Sequence, residues 1–82
     1  MSILLTRIVN DKERYYKLNI EFNLFEEYLV ENIYGSVKNK TPTGVIQKIF
    51  ITKKEAINYV KKTIEKKIKK GYKILYKRLE KI

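Results

Sequence analysis

The sequence predicts an α+β domain in which a small antiparallel sheet of four to five strands packs against one α-helix. Three observations predict it. Residues 15–22 alternate apolar and polar side chains with a period of two. Further short β-branched runs flank that segment, separated by polar turns. After Thr52 the apolar period lengthens to three and four, as a helix requires. A chain of 82 residues has room for one core, so residues 1–76 are read as one domain and 77–82 as a basic C-terminal tail.

Residues 2–9 alternate weakly, with Ile3, Leu5 and Val9 able to share a side. Asn10 to Glu13 is polar and reads as a turn. Tyr16, Leu18, Ile20 and Phe22 then alternate with Tyr15, Lys17, Asn19 and Glu21, the clearest half-buried strand in the chain. Asn23 to Glu27 forms the next turn. Residues 28–34 are strand-like, with Tyr28, Val30, Asn32 and Tyr34 on one side and Leu29, Glu31 and Ile33 on the other; both sides carry apolar residues, so the buried one is not chosen by pattern. Gly35 to Gly44, with the only proline, Pro42, reads as a long loop, and Val45 to Ile51 as a fourth strand.

Thr52 and Glu55 have the spacing of a capping box, in which hydroxyl and carboxylate satisfy free amides at a helix start. Ala56, Ile57, Val60, Ile64 and Ile68 form a stripe toward the core, and Gly71 is the stop. Lys53, Lys54, Lys61, Lys62, Lys66, Lys69 and Lys70 occupy the other face. Tyr72 to Tyr76 reads as a short last strand. One helix covers one sheet face, so the other face stays open or is covered by something else.

Composition narrows the function. The chain has no cysteine and no histidine. Thiol nucleophiles, Ser-His-Asp triads, soft-metal sites and imidazole proton transfer are therefore closed or nearly so. No carboxylate pairs convincingly with a base, metal cluster or phosphate loop, so the expectation is a binding module and not an enzyme, with no cofactor. No apolar run approaches the roughly 20 residues that cross a bilayer, and the N-terminus lacks a secretory pattern; a cytoplasmic protein is expected.

The charge is uneven. Residues 1–36 hold four basic against six acidic side chains, whereas residues 37–82 hold fifteen against three. That asymmetry points to a polyanionic partner for the second half. A lysine-rich face also suits plain solvation, which leaves a bland surface or a protein partner open.

The ordered segments resemble the WGR domain, named for a Trp-Gly-Arg motif, and look like a bacterial stand-alone member. Tyr15-Tyr16-Lys17-Leu18 is similar to the aromatic pair opening that family's second strand. Tyr34-Gly35-Ser36-Val37 sits where Trp-Gly-Arg and an apolar residue are expected. Gly44 and the strand to Phe50 follow. Lys54-Glu55-Ala56-Ile57 opens the helix, and Glu65 to Tyr72, with Lys66, Lys67, Lys70 and Gly71, resembles its ending in bacterial members.

The resemblance implies an accessory module that, in poly(ADP-ribose) polymerases, contacts DNA near a strand end. The polymerases' catalytic domain has no counterpart here, so no transferase activity is implied. Tyr34 takes the place of the signature tryptophan, and its flat ring is able to stack; an ordinary strand aromatic is the other reading. Gly35 implies close backbone approach or a positive φ. Ser36 replaces the signature arginine and loses a bidentate contact. Glu13 falls near a position where relatives often have asparagine, and a carboxylate there repels phosphate. Lys67 aligns with a lysine typical of the family. Lys38, Lys40 and Lys48 lie in and after the signature loop, where they are expected to neutralise phosphates beside Tyr34. The expected partner is thus nucleic acid, DNA more than RNA, at ends, nicks or single strands. The alternative is a protein-interaction adaptor that kept the fold and lost those contacts, as Ser36 and Glu13 favour.

Overall fold

The computed structural model describes residues 1–78. Its elements are β1 (Ser2–Val9), β2 (Lys12–Phe22), β3 (Tyr28–Ser36), β4 (Gly44–Phe50), α1 (Lys53–Lys69) and β5 (Lys73–Arg78). The strands form one antiparallel sheet in the order β4-β3-β2-β1-β5. Helix α1 connects the two edge strands. This is the α+β arrangement that the change of period predicts.

The turns are made by side chains suited to them. Asn10 and Asp11 have φ of 50° and 63°, the paired left-handed conformation of a two-residue hairpin whose twist matches its strands. The turn is therefore shorter than the polar stretch around it, and Lys12 and Glu13 belong to β2. At the next bend the Asn23 Oδ1 accepts hydrogen bonds from the amides of Phe25 and Glu27, at 3.0 and 2.9 Å, replacing backbone acceptors.

The ambiguity in β3 resolves in favour of the even-numbered side. Val30 and Asn32 are buried beneath α1, joining Ile3, Leu5, Tyr16, Leu18, Ile20, Ala56, Val60 and Tyr72. Asn32 Nδ2 donates to the Tyr59 hydroxyl at 2.6 Å, and its Oδ1 is buried with no partner among the described residues. Leu29 and Ile33 face the opposite side with Leu4, Ile8, Val45 and Ile49, and nothing in the described chain covers them: Ile8 is 72% and Ile49 57% exposed.

Three expectations are corrected. β3 runs on through Gly35 and Ser36, so the loop spans only residues 37–43. Ile68 is not core but half exposed, because the residue that the last helical turn directs at the sheet is Lys67. Lys77 and Arg78 extend β5 instead of opening a tail; the remainder of the expected tail, 79–82, lies outside the described residues. At the helix start, Thr52 Oγ1 accepts from the Glu55 amide at 3.2 Å, so the hydroxyl half of the capping box is formed.

Candidate nucleic-acid interface

Antiparallel register lines up side chains in rows across the sheet. One row on the helix-facing side is Leu5, Tyr16, Tyr34 and Gly44. The Tyr16 and Tyr34 rings lie nearly parallel, 11° apart with centroids separated by 5.9 Å. Tyr34 in turn lies over Gly44, where an added Cβ would stand 2.3 Å from the Tyr34 hydroxyl oxygen. A glycine at this point is what admits the ring. The next row toward the sheet's end is Arg7, Arg14 and Ser36.

The helix terminus brings cations to the same end. Gly71, at φ 100°, donates its amide to the Ile68 carbonyl (3.0 Å), and Tyr72 donates to Lys67 (3.0 Å), the two bonds of a Schellman stop. The reversal folds Tyr72 back under the helix, edge-on to Tyr16 at 6.3 Å. It also brings Lys67 Nζ to 4.2 Å from the Tyr16 ring centroid and 5.8 Å from that of Tyr72. Arg7 Nη1 donates to the Lys70 carbonyl at 2.6 Å while its Cζ sits 5.0 Å from the Tyr72 centroid. Burial, with Lys70 and Arg7 alongside, holds the Lys67 ammonium below the ordinary lysine pKa. Burial also pushes the Tyr16 phenol up, helped by the nearby Tyr59, Tyr34 and Tyr72.

The expected site residues separate into three groups. Tyr34 and Lys67 meet through Tyr16, and Lys38 and Lys40 are exposed in the loop that leaves this same end of the sheet. Lys48 does not join them. It pairs with Val30, about 13 Å along β4 from Gly44, and its Nζ lies 5.0 Å from the Tyr59 ring centroid. Gly35 belongs to the opposite sheet face: it is buried, its φ is not positive, and a Cβ there would meet Thr43 N at 3.0 Å and the Tyr15 hydroxyl at 3.2 Å. Close backbone approach is thus its reason, and positive φ is not. Glu13 also faces the open side, across from Ile8, turned away from Tyr34.

Tyr34 is half-buried and packed against the core, so it is not a freestanding exposed ring. Sequence reasoning missed Arg7, Arg14, Tyr16 and Tyr72 as members of this cluster. Their signal was present for β2, where Arg14, Tyr16 and Leu18 share one parity. The Arg7 contact with a helix carbonyl 63 residues away had no local signal.

The family model for the WGR domain matches residues 1–78, nearly the whole chain. The chain belongs to the WGR domain family. No match was found among curated proteins or among solved structures. WGR domains are recognised as nucleic-acid-binding modules. In this WGR domain, no helix of the described residues is long and apolar enough to cross a membrane.

Proposed function

We propose that this WGR domain is a non-enzymatic, cytoplasmic module that binds nucleic acid, DNA in preference to RNA, at an end, nick or single strand. The observation that carries the reading is the meeting of Lys67 with the Tyr16–Tyr34 pair at one end of the sheet. Lys38 and Lys40 leave from that end, and Lys66, Lys69 and Lys70 are exposed on the adjoining helical turns. Tyr16 is buried and supports Tyr34, whose accessible ring edge offers the surface for a sugar or base; a fully stacked base is worth about 1–3 kcal/mol. The ammonium groups neutralise phosphates irrespective of sequence. Because Tyr34 is half-buried, it contributes the accessible part of its ring rather than a whole stacking face.

Fluorescence anisotropy against nicked duplex, blunt duplex, single-stranded DNA and RNA, from 50 mM salt upward, tests the reading. Affinity is expected to fall steeply with salt. Absence of binding to every probe at 50 mM would end it.

A protein-interaction adaptor is favoured by a different observation. The uncovered sheet face carries an open groove of about 430 Å³ lined by Leu4, Thr6, Glu13, Tyr15, Lys17 and Val37 and bordered by Leu75 and Tyr76. A single stoichiometric partner retained after nuclease treatment supports this second reading.

A further inference from the structure

The row beside the tyrosines contains an arrangement that stability alone does not account for. Arg7 and Arg14 are direct cross-strand partners, and Ser36 is the partner of Arg14 on its other side. Like charges directly opposite one another weaken a sheet. No carboxylate relieves them from their own row or from the neighbouring row of Leu5, Tyr16, Tyr34 and Gly44, and Glu13 projects from the other face. The two arginines also differ in freedom. Arg7 is committed, with Nη1 on the Lys70 carbonyl and its guanidinium beside Tyr72. Arg14 is exposed, and across from it stands a small hydroxyl side chain that leaves its guanidinium room to move.

The geometry points to Arg14 as the phosphate-binding guanidinium of this domain, with the Ser36 hydroxyl as an accompanying donor. This rests on the nucleic-acid reading above and names where the backbone docks: one pleat repeat, about 6.5 Å, beyond the Tyr16–Tyr34 row. Directly opposed residues have Cβ atoms about 4.5–5.5 Å apart, so a long side chain rooted on β2 reaches the space over Ser36. A planar guanidinium presents two parallel N–H donors to a phosphate, and a serine hydroxyl adds a third. Arg7 fixes the positive potential from behind, and Lys67 flanks the tyrosines at the next step.

The test compares the full chain with Arg14→Gln, with Lys12→Gln as a charge-matched control, and with the exchange Arg14→Ser plus Ser36→Arg. All three substituted positions lie at the surface or half-buried at the sheet's end, away from the core. Anisotropy with a fluorescein-labelled nicked duplex is read across salt. Arg14→Gln is expected to weaken binding about tenfold and to lower the salt slope by about one. Lys12→Gln is expected to have a smaller effect, and the exchange to restore the affinity, because either strand delivers the guanidinium to the same place. If the parent protein binds and Arg14→Gln matches Lys12→Gln, the assignment is overturned while the nucleic-acid reading survives. If the parent protein binds no probe, the nucleic-acid reading has failed, and an NMR titration with inorganic tripolyphosphate decides the subsite by itself. A shift at the Arg14 Nε–H keeps it as an anion site; no shift removes it.

Discussion

The two faces of this sheet are made by the same strands and have opposite characters. On the helix-facing side, Ile3, Leu5, Leu18, Ile20 and Val30 disappear beneath α1, and tyrosines and cations gather where the helix ends. On the other side, alternate residues of the same strands leave Ile8, Val45 and Ile49 in solvent, interspersed with Glu13, Lys17, Glu21, Glu31 and Gln47. The difference shows that alternation sorts side chains between faces without telling which face is covered. The helix makes that choice, and with it the choice of where positive charge lies.

Truncation on each face separates the two most directly. Leu18→Ala, 1% exposed, is expected to cost about 2–5 kcal/mol, enough to unfold much of a domain this small. Ile8→Ser on the open face is expected to stay within about 0.5 kcal/mol. Equal losses in urea melts would mean that the open face is covered in solution.

Gly44→Ala is expected to cost about 1–3 kcal/mol, because the new methyl occupies the place of the Tyr34 ring. The ring-current shifts linking Tyr34 and Tyr16 should change with it in NMR spectra. Unaltered shifts would mean the ring does not rest on Gly44.

Lys67→Gln is expected to lower nucleic-acid affinity severalfold and reduce its salt slope by about one, with melting temperature little changed. The small stability effect follows from two opposed terms: loss of the cation–aromatic contact and relief of a desolvated charge. An unchanged slope would exclude a phosphate contact.

The smallest effect is titration. The folded pKa of Tyr16 is the higher one, so the folded state keeps its proton longer than the unfolded chain. Its contribution is complete below about pH 10 and is lost as pH rises through the raised value. Melting temperatures of the parent should therefore fall more across that window than those of Tyr16→Phe. Parallel curves would place the phenol in water.

Much of this fold is legible in the sequence because local rules and tertiary packing agree. β2 declares itself through four alternating apolar residues, and α1 through Thr52, its stripe and Gly71. β3 does not, since Leu29 and Ile33 compete with Val30 and Asn32, and only the position of α1 separates the two sets. The candidate site is less legible. Tyr34 and Lys67 are readable from the family resemblance, and of the two readings of Tyr34 the structure favours the strand aromatic packed against the core. Lys48 falls elsewhere because loop proximity in sequence is not proximity on the sheet. Arg7, Arg14 and Tyr72 join the site through cross-strand register and a helix stop, neither of which a single segment reveals.

The pairing of β1 with β5 has a consequence for how the molecule is made. Ser2 aligns with Arg78, so the first strand obtains its outer neighbour from the end of the described chain. A growing polypeptide on the ribosome has β1, β2 and β3 available long before that neighbour emerges. Through synthesis β1 is an unprotected border open to pairing with another chain, and such distant closures are slow. The outer border of β1 is therefore expected to be protected only once β5 has emerged and paired with it.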